Sequence, residues 1–93
     1  MTNAEIRKLK AEAQRLEPVV RIGKNGLTVA VLQSIQQALT AHGLIKIRFD
    51  HDRDERDLLA QQTAEATGAA LIMQVGKVAV FYRAKPTEAP SGT

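Results

Sequence analysis

The sequence has no cysteine, and its aromatic residues are limited to Phe49, Phe81 and Tyr82. Without cysteine the protein has no disulfide, no thiolate-bound metal, no iron–sulfur cluster and no cysteine nucleophile. The scarcity of aromatic rings argues against a surface that stacks several bases in a row. No apolar run approaches the roughly 18–20 residues that span a bilayer, and the first residues lack the basic and apolar regions of a signal peptide. We therefore expect a cytoplasmic protein with no membrane partner.

The length and the charge of the chain further limit the class of protein to which it can belong. A chain of 93 residues has room for one domain. Hydrophobic residues make up 44% and charged residues 25%, which is the balance of an ordinary globular protein. Lysine and arginine number 13 against 10 acids, and the pI is about 9.6. This mild excess is compatible with a polyanionic partner without requiring one.

Apolar periodicity and turn residues predict three helices and four strands in the order α-β-α-β-α-β-β. Thr2 and Glu5 resemble a capping box at the start of the first helix, and Pro18 stops that helix. The first two predicted helices span about residues 2–16 and 28–42, and the third runs from the acidic segment at 50–55 to Gly68. The predicted strands span residues 19–22, 44–49, 70–75 and 78–83.

This element order predicts an α/β fold, a single-domain sandwich around a four-stranded mixed sheet. Two strand–helix–strand units favour right-handed crossovers, with both crossover helices on one face of the sheet. Gly76 and Lys77 predict a type II′ turn between the last two strands, which then form an antiparallel hairpin. We expect the domain to occupy residues 1–84 and residues 85–93 to be a disordered tail.

A short loop, Gly23-Lys24-Asn25-Gly26, links the first strand to the second helix, for which Thr28 is a plausible N-cap. Free N–H groups and the helix dipole favour anions at such a terminus. Glycines allow close approach to the main chain, and Lys24 adds a cation. A G-x-x-G loop clamps backbone nucleotides in KH-type RNA-binding modules. The alternative is an ordinary tight turn, which the spacing alone favours.

Basic side chains adjoin this loop in the predicted fold. Arg21 lies just before it, and Lys46 and Arg48 lie on the predicted solvated side of the next strand. If the two strands are neighbours, these three residues and Lys24 are expected to line one groove. The alternative is a set of unrelated surface charges.

The acidic segment from Asp50 to Glu55 is the other dense group of charges. It matches the first positions of a calcium loop, but Glu55 replaces the required glycine and Gln61 replaces the closing glutamate. We therefore expect a solvated loop in which Asp52 or Asp54 caps the third helix, and nucleic acid is expected to avoid that end of the molecule. No catalytic constellation is recognisable, so we predict no enzyme, no metal and no cofactor.

The chain also resembles a known family. Residues 16–28 (LEPVVRIGKNGLT) are similar to the signature of the CRM domain (chloroplast RNA splicing and ribosome maturation), whose bacterial stand-alone form is the YhbY-like protein. Four further segments also match the family: His42 together with residues 44–47, Thr67-Gly68, Gly76-Lys77 and Tyr82-Arg83. The resemblance covers about residues 6–83.

This resemblance implies an RNA-binding α/β domain related in architecture to the C-terminal domain of translation initiation factor three. Bacterial members are associated with precursors of the large ribosomal subunit, whereas plant members join several copies for intron splicing. By position, the residues implied to contact RNA are Arg21, Gly23, Lys24, Asn25, Gly26, Thr28, Lys46 and Arg48.

The resulting prediction is a monomeric RNA-binding protein that acts in large-subunit assembly by binding precursor ribosomal RNA. The alternative is a protein–protein adaptor that docks on a ribosomal protein or assembly GTPase through the first helix or the acidic segment. A third and weaker alternative is an enzyme acting on a small phosphate ligand.

Overall fold

The computed structural model describes residues 1–84, and the predicted tail at 85–93 lies outside the described residues. All seven predicted elements are present in the predicted order. The helices are α1 (Asn3–Ala13), α2 (Val29–His42) and α3 (Arg53–Thr67); the strands are β1 (Val20–Ile22), β2 (Leu44–Phe49), β3 (Ala70–Val75) and β4 (Val78–Tyr82).

The helix starts follow the predicted capping chemistry. The Thr2 side chain accepts from the Glu5 amide while the Glu5 carboxylate accepts from the Thr2 amide, which completes the capping box of α1. At the start of α3 the Asp52 carboxylate accepts from the amide of Glu55 at 3.0 Å. Asp52, rather than Asp54, is therefore the N-cap of α3.

Helix α1 ends at Ala13, earlier than the predicted Leu16. The chain tightens there, because Leu16 N–H donates to Ala13 O at 3.0 Å, a bond across three residues. Pro18 accounts for the difference, since it has no N–H to donate back to residue 14 and it keeps Glu17 out of the helical region. The last predicted turn of the helix becomes a connection to β1.

The four strands form one mixed sheet in the order β1-β2-β4-β3. Strands β1 and β2 are parallel, and β4 pairs antiparallel with both β2 and β3. Helices α2 and α3 cover one face, as predicted, and α2 packs on β1 and β2 while α3 packs on β3. The core lies in this layer; its largest fully buried side chains include Ile22, Ile35, Leu39, Ile45, Ile47, Phe49 and Phe81.

Helix α1 lies against the opposite face of the sheet, so the domain has three layers. Ala13 is buried there beside Lys46 and Val80, whose side chains alternate with the core residues of β2 and β4. This helix contacts β2 and β3. Because it ends at Ala13, it covers only part of this face, which is called the α1 face below.

The β3–β4 hairpin contains one unpredicted irregularity. Leu71 pairs with Phe81, but Met73 rather than Ile72 pairs with Val80, so Ile72 is the extra residue of a β-bulge. Because a one-residue shift reverses the faces of a strand, the bulge turns Met73 and Val75 toward the α1 face. The hairpin turn itself has a φ of 57° at Gly76 and no positive φ at Lys77, as the predicted type II′ turn requires.

Candidate nucleic-acid interface

The loop at residues 23–26 is open to solvent. Gly23, Lys24 and Asn25 are exposed, and the turn is closed by one hydrogen bond, from Gly26 N–H to Gly23 O at 3.0 Å. Within residues 1–84 the amides of Lys24 and Asn25 donate to no protein acceptor. The predicted alternative of a tight turn is thus partly correct, since a turn forms, but it leaves main-chain donors free.

Helix α2 begins directly after this loop. Thr28 is its N-cap, and the Thr28 hydroxyl oxygen accepts from the amide of Val31 at 3.2 Å. This bond engages one of the first amides of the helix, and those of Val29 and Ala30 remain without an intrahelical partner. The loop and the first turn therefore present several N–H groups at the positive end of a 14-residue helix.

The two glycines of the loop differ in what the fold demands of them. Gly26 has a φ of 70°, a backbone conformation that other residues adopt only with strain. Gly23 has no positive φ, and a Cβ built on it would meet nothing within 4 Å. Neither backbone geometry nor packing within the described residues requires a glycine at 23, so its small size is available to a ligand that approaches the main chain.

Arg21 and Arg48 lie side by side on the α1 face, because they are register partners on the parallel strands β1 and β2. Each donates through Nε to the carboxylate of Asp50, Arg21 to Oδ2 and Arg48 to Oδ1 at 3.4 Å. The hydrogen bond from Arg21 is the main cause that holds the pKa of the Asp50 carboxyl below its ordinary value. Of the four basic residues predicted to line one groove, the register thus brings Arg21 and Arg48 together, with one acid between them.

Lys46 occupies a different environment from the one predicted. It is half-buried on the α1 face and lines a cleft with Ala13 and Gln14 at the end of α1, rather than lying on an open strand surface. It is two residues nearer the amino end of β2 than Arg48, about 7 Å along the strand. Lys46 is therefore on the same sheet face as Arg48 but farther from the loop.

The acidic segment lies beside the loop, at the same edge of the sheet, so the prediction that nucleic acid avoids this end of the molecule applies to the surroundings of the loop itself. Parallel strands end at the same edge of a sheet, and Asp50 N–H donates to Ile22 O at 3.1 Å, next to Gly23. Lys24, Asp52 and Lys77 line a common cleft here. The positive field of Lys24 is therefore local and is bounded by acids.

Arg83 has a structural role that its position in the sequence does not reveal. Its guanidinium donates to Gln36 Oε1, to Thr67 O at 2.7 Å and to Thr40 Oγ1 at 3.2 Å. These bonds join the end of β4 to α2 and to the carbonyl end of α3, where a cation is favoured by the helix dipole. The fold thus explains the arginine of the matching Tyr82-Arg83 pair.

No group of side chains within residues 1–84 has the arrangement needed to hold a metal ion. A search of the same residues finds no helix of the length and hydropathy that a membrane span needs.

Comparison with known proteins gives consistent matches. The family model described as the CRS1 / YhbY (CRM) domain matches residues 1–83. A Haemophilus influenzae protein named "RNA-binding protein" is 41% identical over 76 residues, which cover 81% of this chain and 77% of that protein. A Pseudomonas aeruginosa protein named as a probable RNA-binding protein is 32% identical over 87 residues, 92% of this chain and 84% of that protein.

A solved structure also matches. The solution structure of a Staphylococcus aureus protein, described as a candidate RNA-binding protein, superposes with a TM-score of 0.80 at 29% identity. The match covers 91% of this chain and 90% of that one. The shared architecture therefore extends over nearly the whole described domain.

Proposed function

The chain belongs to the CRS1/YhbY (CRM) domain family, and from this membership we propose that it is an RNA-binding protein that acts in assembly of the large ribosomal subunit. Relatives from Haemophilus influenzae and Pseudomonas aeruginosa carry names that describe RNA binding. The family resemblance points to precursor ribosomal RNA as the ligand. The proposal includes a cytoplasmic location, where ribosomes are assembled in bacteria such as those of the two relatives.

The proposed contact is with the sugar–phosphate backbone. The free amides of Lys24 and Asn25, with the first turn of α2, supply fixed donors for a phosphate, and the Lys24 ammonium supplies a mobile charge. Gly23 lets the backbone come close to the main chain. The observation that carries the proposal is this exposed loop with unengaged amides at a helix N-terminus.

Arg21 and Arg48 extend the contact along the α1 face. Asp50 engages the Nε group of each arginine, and within residues 1–84 the terminal nitrogens of both guanidinium groups have no other partner, so they can donate to a neighbouring phosphate. The domain has few aromatic rings to stack on bases, and we propose that RNA shape and assembly context provide most of the specificity. The proposal includes no catalytic step.

Charge reversal at Lys24 tests this function. Lys24→Glu is expected to weaken binding to a large-subunit ribosomal RNA transcript at least tenfold in a filter-binding titration, since it replaces a phosphate contact by a repulsion. Lys8→Glu is the matched control, because Lys8 is exposed on α1 near Gly43 and Leu44, at the opposite end of β2 from Asp50. Equal effects of the two substitutions would contradict a role for the loop.

The assembly role has its own test. RNA crosslinked to the protein in cells and sequenced is expected to be concentrated in large-subunit ribosomal RNA. Reads spread evenly over unrelated transcripts would contradict the assembly role. An adaptor that docks on a ribosomal protein or GTPase predicts a third result, in which Lys24→Glu abolishes RNA binding in vitro and leaves association with the assembling subunit unchanged.

A further inference from the structure

A small apolar cleft lies on the α1 face, where α1 stops short. Its walls are the side chains of Ala13, Met73, Val75, Val78 and Val80, and its volume is about 250 Å³. The bulge at Ile72 is what turns Met73 and Val75 to this face. Val75 is 63% exposed, so one wall of the cleft is open to solvent.

Two polar side chains complete the lining, Lys46 and Gln14. Lysine supplies a cation at the rim, and the glutamine amide both donates and accepts hydrogen bonds. The volume lies below the 300–1,000 Å³ that is usual for drug-sized ligands, so the cleft fits a single ring-sized group.

The register of the sheet places this cleft beside the arginine pair. Arg21, Arg48, Val78 and Val75 are successive partners across β1, β2, β4 and β3. A second row on the same face contains Lys46, Val80 and Met73. Adjacent strands are about 4.8 Å apart, so the face changes from cationic to apolar within about 10 Å.

A nucleotide likewise has a charged part and an apolar part, with an anionic phosphate on one side of the ribose and a base with apolar ring faces on the other. We propose, resting on the RNA-binding function above, that the cleft is a site for one unstacked base of a single-stranded RNA segment. The phosphate of that nucleotide lies against Lys46 and Arg48, and the base lies between Met73 and Val75.

Charge selects this occupant over a second copy of the chain. An isologous contact through this face would gather Arg21, Lys46 and Arg48 of both copies into one interface, where their like charges repel. A polyanion with apolar rings satisfies both parts of the surface at once.

The absence of tryptophan from the sequence permits a direct test. Val75→Trp introduces a single indole at the rim of the cleft, and Leu58→Trp places the matched control on α3, on the opposite side of the sheet. Both positions are exposed, at 63% and 56%, so both variants are expected to fold. The probes are a ten-nucleotide oligoadenylate and an abasic ribose–phosphate oligomer of the same length.

Oligoadenylate is expected to quench the fluorescence of the Val75→Trp protein over the concentration range in which labelled RNA binds, and to leave Leu58→Trp nearly unchanged. The abasic oligomer is expected to bind the native protein about tenfold more weakly, because it loses the burial of one base against the apolar side chains of the cleft. Binding of oligoadenylate without quenching at Val75→Trp, or equal affinity for the abasic oligomer, would overturn the base site and leave RNA binding intact.

Two other results are separable from these. No binding of either oligomer or of ribosomal RNA to the native protein would remove the proposed function, and the base site with it. Self-association of the native protein that Val75→Glu abolishes would assign the cleft to a second copy and overturn the base site.

Discussion

Arg21 and Arg48 are register partners on β1 and β2, and both donate through Nε to the carboxylate of Asp50. One acid thus lies between two cations at the edge where RNA is proposed to bind. Asp50 holds the two guanidinium groups close together and also cancels one of their charges. The arginine side chains are well exposed, at 69% and 46%, so both can reach RNA. RNA affinity therefore measures whether holding the arginines together or cancelling their charge has the larger effect.

Replacing Asp50 by asparagine is expected to strengthen RNA binding about two- to fivefold at low salt. The change removes one negative charge from the binding edge and with it a repulsion of the approaching phosphate, an effect that added salt screens. Filter-binding titrations with Asp50→Asn and with the control Asp54→Asn at the start of α3 measure the effect. A loss of affinity specific to Asp50→Asn would show that positioning of the arginines outweighs the charge.

The stability of the fold is expected to depend on pH through the same carboxyl group. Its pKa is lowered in the folded state, chiefly by the hydrogen bond from Arg21, so the ion pair stabilises the fold above the unfolded pKa, about 3.9. This contribution is lost as the pH falls through the folded value. Urea unfolding is expected to show native protein more stable than Asp50→Asn at pH 7, with the difference shrinking below about pH 4. A difference that is independent of pH would contradict this.

The loop glycines are expected to separate binding from stability. Gly23→Ala introduces a methyl group that meets no atom of residues 1–84 within 4 Å, so the melting temperature is expected to be nearly unchanged while RNA affinity falls. Gly26→Ala forces a left-handed conformation and is expected to cost about 1–2 kcal/mol of stability. Thermal unfolding and RNA titration of both variants measure the contrast. Undiminished RNA affinity in folded Gly23→Ala would indicate that the ligand does not approach the main chain there.

Arg83 is expected to be important for stability and not for RNA binding. Arg83→Ala removes charge-assisted hydrogen bonds to both α2 and α3 and is expected to lower the free energy of unfolding by about 2–3 kcal/mol. Arg7→Ala, on the exposed side of α1, is the matched control. Chemical denaturation measures the difference. A folded Arg83→Ala protein with reduced RNA affinity would instead place Arg83 in the interface.

Local chemistry made most of the fold predictable. The capping box at Thr2 and the turn at Gly76 each depend on residues within a few positions, so the sequence shows them directly, and it limits the cap of α3 to Asp52 or Asp54. The alternation of β2 places Ile45, Ile47 and Phe49 on the face opposite Lys46 and Arg48, and all three are buried. The family resemblance is confirmed over residues 1–83.

The features that the sequence did not predict depend on how distant segments of the chain pack together. The bulge at Ile72 depends on how β3 pairs with β4, and no glycine or proline marks it. Arg83 forms hydrogen bonds with residues that are 16 to 47 positions away in the sequence, so the residues next to it do not indicate its structural role. The partial cover of Lys46 depends on where α1 ends against the sheet. The acidic segment lies beside the loop because β1 and β2 pair in parallel, and the residues of the two strands do not by themselves indicate that they are neighbours.

The salt dependence of RNA affinity tests the central claim, that Lys24 in the exposed loop neutralises a phosphate. For a single-stranded RNA, the slope of log affinity against log salt is expected to be shallower by about 0.7 in Lys24→Ala than in the native protein. Lys8→Ala is expected to keep the native slope. Identical slopes for Lys24→Ala and the native protein would contradict the claim.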